Sequence, residues 1–143
     1  MDSVDHKLIS LLRENAKLTI AQLADAVNRS PTPIHERIKK LEKKGIITGY
    51  SAQINESKID RGFVAYSQIG LNAHTHEHIT GFVAAIRSFP EVEECHHIAG
   101  NFDYLLKVRV KDINAYQQFL TEKLSGLNHV KEIRSSFSLQ QVK

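Results

Sequence analysis

Ser30-Pro31-Thr32-Pro33-Ile34-His35-Glu36-Arg37-Ile38-Lys39-Lys40-Leu41-Glu42-Lys43-Lys44-Gly45 is the stretch on which the reading of this chain turns. Ile34, Ile38 and Leu41 recur at i, i+4 and i+7, the spacing of one buried stripe on a helix. Ser30 stands where a capping side chain is expected, and Pro31 takes the first helical position, where its missing N–H costs nothing. Pro33 still lies in the first turn, and Gly45 ends the helix. Thr32, Glu36, Lys39, Lys40 and Lys43 project from the side opposite the stripe. Positions 29–44 hold Arg29, Arg37, Lys39, Lys40, Lys43 and Lys44 against Glu36 and Glu42, a local balance of +4.

Two further helices precede this one. Val4, Leu8, Leu11 and Leu12 have helical spacing behind an Asp2 or Ser3 cap, and Thr19 with Gln22 forms a capping box ahead of Ile20, Leu23, Ala24 and Val27. Asn28, which tolerates the left-handed conformation, supplies the break with Arg29. Taken alone, a basic run is more often a solvated face than a binding surface. Here it lies on the second helix of a tight turn, and the charge of the whole chain sits beside it. Residues 1–50 hold nine Lys/Arg and six Asp/Glu, a balance of +3, while residues 51–143 hold ten of each. That pattern matches a helix-turn-helix whose second helix enters the major groove. Arg29, Lys39, Lys40 and Lys43 are then expected at phosphates, and Thr32 and Glu36, with His35 and Arg37, at base edges. Ser30 and Pro33 open the helix on the same surface.

With 41% hydrophobic and 24% charged residues the chain has the composition of a folded globular protein. Its apolar runs are as short as Val83-Ala84-Ala85-Ile86, so no membrane span is expected, and the N-terminal residues Met1 to Lys7 carry no secretory pattern. The single cysteine, Cys95, fits a reducing cytoplasm.

Ile46 to Ile54 alternates enough to be read as a strand, giving a strand linker over 46–62 between a helical domain at 1–45 and a second domain at 63–143. From Phe63 the periodicity runs strand, helix, strand, turn, strand, helix, strand. Phe63 to Leu71 opens it, and Ile79, Phe82, Val83, Ile86 and Phe89 stripe a helix that Pro90 closes. A strand over 92–98 and one over 104–110 flank Gly100-Asn101, a two-residue hairpin signal. Asp112 caps a helix with Tyr116, Phe119, Leu120 and Leu124 inward, and the last strand spans 130–139. The fold class expected is α+β: a winged-type helix-turn-helix domain, the strand linker, and a ferredoxin-like βαββαβ domain with one sheet face uncovered. An apolar face left bare would be buried against a second copy, which predicts a symmetric dimer.

His74-Thr75-His76-Glu77-His78 invites a metal reading, but His76 would point away from the other two, and a solvated loop and helix start is the better account. Cys95 has no assignable base and reads as a buried thiol, while His96 and His97 alternate across a strand. No Gly-rich phosphate loop, catalytic carboxylate pair or metalloprotease spacing occurs, so no enzymatic site and no cofactor are expected. Two rival readings stay open: a regulatory subunit whose N-terminal helices serve protein contacts, and an architectural protein coating DNA without specificity.

The run from Ser30-Pro31-Thr32-Pro33 through Glu36 to Glu42, then Gly45-Ile46-Ile47 and Gly49-Tyr50, resembles the Lrp/AsnC family of bacterial and archaeal regulators. A second match lies in Val92-Glu93-Glu94-Cys95-His96 and in Gly100 to Lys107, so the resemblance covers essentially the whole chain. It implies a cytoplasmic, nucleoid-associated transcriptional regulator that binds double-stranded DNA as a homodimer assembling to octamers or larger. It also implies a small amino-acid effector held where subunits meet, beside the Gly100 hairpin. Carried over by position, that site corresponds to Gly100, Asn101, Asp103 and Tyr104, with Ser136 and Ser138 on the last strand. From spacing alone Asn101 and Asp103 are plain hairpin chemistry.

If the basic residues supply the affinity, the Lys39→Ala/Lys40→Ala double variant binds all duplexes more weakly and flattens the plot of log affinity against log salt. Anisotropy titrations at several salt concentrations measure this, and an unchanged slope would refute the assignment.

Overall fold

The computed structural model describes residues 1–142 and divides into two compact units, Met1–Ile54 and the part from Asn55 onward. In the first unit α1 spans Ser3–Glu14, α2 Ile20–Ala26 and α3 Pro31–Lys43. Asp2 caps α1 in a reciprocal box with Asp5, and Thr19 caps α2 in the same way with Gln22. Asn28 turns the chain at φ 53° and Gly45 ends α3 at φ 66°, as the sequence requires at both places. Leu8, Leu23, Ala24, Ile34, Ile38 and Leu41 form the core of this unit, with Ile47 packed against it.

The expected strand over 46–54 is absent. The amides of Ile46 and Ile47 fold back onto the Leu41 carbonyl, and the chain then runs irregularly to a 3-10 turn at Glu56–Ile59. The residue types suit a strand, but a strand exists only on a ladder, and the first unit is all helix. Ile46, Tyr50 and Ile54 stand exposed, with the Tyr50 hydroxyl donating to Glu42 Oε1 at 2.7 Å.

The second unit runs β1 (Phe63–Leu71), α4 (His76–Ser88), β2 (Val92–His97), β3 (Tyr104–Val110), α5 (Ile113–Phe119) and β4 (Val130–Phe137). All pairings are antiparallel in the order β2-β3-β1-β4, the ferredoxin-like arrangement. One face, carrying Ala65, Ile69, Leu71, Leu106 and Val108, packs under Phe82 and Ile86 of α4 and Tyr116 and Phe119 of α5. Beyond Phe119 the helix widens into a π turn, Leu120–Leu124. A step of five residues swings about 140° round an α-helix, and the wider turn brings Leu124 back to the core with Phe119. The last strand ends at Phe137, two residues short of expectation, because its partner β1 begins at Phe63 and offers only the Val64 carbonyl to the Ser138 amide.

Ser67 is the fully buried polar residue of this core, and its hydroxyl pairs with that of Tyr116 at 2.9 Å, which in turn meets Ser135 Oγ at 2.5 Å. The network joins β1, α5 and β4 at one point.

The uncovered sheet face is not the apolar surface expected. Val64, Tyr66 and Leu105 share it with Lys107, Arg109, Glu94 and Arg134, and Lys107 bridges Glu93 and Glu94 at 3.1 and 2.9 Å while Arg109 meets Glu93 at 3.1 Å. Its strands alternate, but charged pairs occupy positions that a dry interface would fill with aliphatic side chains. Cys95, expected buried, is exposed on β2, the edge strand of the sheet.

Tyr116→Phe should destabilise the chain by about 1 kcal/mol, leaving Ser67 to its weaker Ser135 contact, and Phe82→Ala by about 3–5 kcal/mol through the cavity it opens. Urea unfolding distinguishes the two magnitudes.

Candidate DNA-contacting helix and effector loop

α3 buries Ile34, Ile38 and Leu41, and at about 100° per residue Thr32, Glu36, Lys39 and Lys43 point away from that stripe. Arg29, Ser30, Thr32, Pro33, His35, Glu36, Lys39, Lys40 and Lys43 are all exposed. Among the described residues no ion pair holds Lys39, Lys40, Lys43 or Lys44. Ser30 occupies the N-cap position without a side-chain cap bond, contrary to expectation. The third helical residue, where a cap usually finds its donor, is Pro33 and has no N–H.

Arg37 differs from the other nine. Its Nη1 lies 2.7 Å from Asp2 Oδ2 and 2.7 Å from Asp5 Oδ1, which ties it to the start of α1 and away from the base-edge role expected of it. The reciprocal backbone N–H bonds of the capping box, and then Arg37, hold both carboxyl groups below the usual carboxylate range.

The loop between β2 and β3 is six residues long, 98–103, not the two-residue turn expected, and of its residues only Gly100 has a positive φ, at 144°. A Cβ at Gly100 would meet nothing within 4 Å, so glycine serves the backbone angle there and leaves open space beside it. Asp103 organises the loop. Its carbonyl accepts from the Ile98 amide at 2.9 Å, its own amide donates to the Ile69 carbonyl at 2.8 Å, and its Oδ2 accepts from the Leu71 amide at 2.7 Å. The second oxygen, Oδ1, lies 2.6 Å from His74 Nε2. The Leu71 N–H foremost, and His74 after it, hold this carboxyl below its ordinary range. Asp103 is thus engaged at both oxygens within the chain.

Tyr104 is buried, its ring 4.7 Å from that of Phe82 and stacked 4.9 Å from that of His97, so it is a core side chain in this unit. Phe102 is folded under the Arg134 guanidinium at 5.1 Å from the ring centroid. Ser136 and Ser138 are exposed but do not meet the loop. Tyr104 and Ile133 both register with Ile69, whereas Ser136 registers with Tyr66, about 10 Å further along the sheet, and Ser138 lies beyond it.

The histidine run resolves into separate contacts. His74 serves Asp103, His78 Nδ1 lies 2.7 Å from the capping Thr75 hydroxyl, and the His78 ring meets that of His129 edge-on at 5.3 Å. Among the described residues no group of three or more His, Cys, Asp or Glu is placed to hold a metal ion. Sequence reasoning missed His74 as the partner of Asp103. Its only signal was the unusual histidine run.

Residues 64–143 match the Lrp/AsnC ligand binding domain family, and residues 1–48 match a winged helix-turn-helix DNA-binding family. The chain belongs to the Lrp/AsnC family. It is 40% identical over 142 residues to the proline dehydrogenase transcriptional activator of Rhodobacter capsulatus, covering 99% of this chain and 92% of that one. It is 35% identical over 143 residues to the leucine-responsive regulatory protein of Salmonella typhimurium, covering 100% and 87%. Among solved structures, a Neisseria meningitidis transcriptional regulator in complex with L-Met superposes with a TM-score of 0.96 at 32% identity, covering 100% of this chain and 92% of that one. Escherichia coli AsnC superposes at 0.90 with 25% identity, covering 100% and 95%. This Lrp/AsnC chain is therefore a transcriptional regulator that joins a helix-turn-helix DNA-binding domain to the family's ligand-binding domain.

Because the Asp103 carboxyl is held low in the folded chain, its contribution to stability is present above the ordinary carboxylate range and is lost as pH falls through the lower folded value. Asp103→Asn should be less stable than the parent at neutral pH and nearly equal to it in strong acid. Urea unfolding at several pH values checks this.

Proposed function

We propose that this regulator acts as a dimer that places two copies of α3 in successive major grooves of a roughly palindromic site, in the cytoplasm. The observation that carries the reading is the outward face of α3, where exposed Thr32, His35 and Glu36 lie among Lys39, Lys40 and Lys43, none of which is held in an ion pair among the described residues. Arg29, Lys39, Lys40 and Lys43 supply the phosphate contacts, and Thr32 and Glu36, with His35, read base edges.

The second half of the proposal concerns control. A small amino acid binds beside Gly100 and Asn101, where the glycine leaves open space, and Asp103 shapes the loop through its bonds to Leu71 and His74. Ser136 and Ser138 stand along the sheet from this loop within one chain, so they reach the effector only from another subunit. The neisserial relative solved with L-Met supports an amino-acid ligand in this fold. Binding then shifts the balance between dimers and larger assemblies such as octamers, and so changes which DNA sites are held.

Calorimetric titration with each of the twenty amino acids, paired with light scattering, tests the second half: at least one should bind and change the particle size. Selection of bound genomic fragments tests the first and should return a palindromic consensus. Equal recovery of all fragments would favour a coating protein instead.

A further inference from the structure

Among the described residues, Arg37 is the one cation of α3 held in an ion pair, and two carboxylates hold it. Asp2 and Asp5 each divide their carboxylate. Asp2 Oδ1 accepts the Asp5 amide at 2.9 Å and Asp5 Oδ2 accepts the Asp2 amide at 3.0 Å, which completes the capping box of α1. The remaining oxygens, Asp2 Oδ2 and Asp5 Oδ1, both point to Arg37 Nη1 at 2.7 Å. The cap therefore fixes the two oxygens that hold the arginine, across more than thirty positions of sequence.

The two carboxylates more than match the charge of the one guanidinium between them, in a groove also lined by Met1, Glu36 and Lys40. A phosphate must displace both short contacts to reach Arg37, whereas among the described residues no ion pair holds Lys39 or Lys43. At about 100° per residue Arg37 sits on the flank of α3, between the buried stripe and the outward face, so a released side chain could swing to a phosphate. We infer that Asp2 and Asp5 withhold Arg37 from DNA, and that the α1 capping box thereby lowers sequence-independent affinity while leaving the base-reading face intact. Asp2 and Asp5 are positioning residues in this scheme. Phosphate contacts bind every sequence alike, so withholding one lowers the affinity for random duplex as much as for a target site.

The test uses the full chain, a random-sequence duplex and anisotropy titrations across a range of salt concentrations. Asp2→Asn/Asp5→Asn keeps amide oxygens that can still cap α1 but removes both charges. It should bind random duplex more tightly, and each DNA-bound recognition helix should steepen the salt slope by about 0.9. Adding Arg37→Ala to the double variant should return the slope to the parent value. Arg37→Ala alone uncovers the two carboxylates and should weaken binding, but a slope flatter by the full ~0.9 per bound helix would mean that Arg37 already contacts phosphate, and would overturn the inference. So would an unchanged slope in the double variant, or a steepened one that Arg37→Ala fails to reverse, since the lost acidic charge alone would then be the cause. A second measurement needs no substitution: on adding duplex to the parent, the Arg37 side-chain NMR resonance should hold its position while that of Arg29 shifts. Equal movement of the two would also overturn it.

Discussion

A helix in a small three-helix unit buries one stripe, and in α3 that stripe is Ile34, Ile38 and Leu41 against Leu8, Leu23 and Ala24. Each fully buried aliphatic side chain contributes about 1.5–3 kcal/mol, so the rotational setting of α3 about its own axis is not free to change. With the inner face settled, Thr32, Glu36, Lys39 and Lys43 must face outward. The prolines act at the same point. They open the helix while removing two amides that would otherwise need partners, and the N-terminal end of α3 is left with few unsatisfied donors of its own.

Electrostatics then sorts the cations of that helix into two groups. Among the described residues no ion pair holds Lys39, Lys40 or Lys43, whereas Arg37 is held by two carboxylates placed by the first turn of α1. Like residues in one run of sequence therefore face different partners. The distinction comes from the packing of α1 on α3 and not from the composition of either.

The second unit rests on β1, which pairs with β3 on one side and β4 on the other and carries Ser67 into the core. Its far end, at Ile69 to Leu71, is also where Asp103 is anchored, so the loop that the family resemblance marks for a ligand is fastened to the central strand. The engagement of Asp103 by Leu71 and His74 makes this carboxylate an organiser of the loop. The mixed charges on the open face of the sheet suit a surface of ion pairs better than a dry apolar contact.

Much of the architecture was legible in the chain by itself. Apolar spacing and capping boxes placed α1, α2 and α3, and alternation placed four strands and two helices in the order that yields a ferredoxin-like sheet, because these signals act between residues a few positions apart. The exposed basic face of α3 was legible for the same reason. What tertiary structure decided were matters of partnership between distant residues: Arg37 with Asp2 and Asp5, His74 with Asp103, Tyr104 turned into the core, and Ser136 and Ser138 set apart from the loop. The stretch 46–54 belongs with these. Its residues favour a strand, but a strand's hydrogen bonds must be supplied from elsewhere, and local preference cannot provide the neighbour.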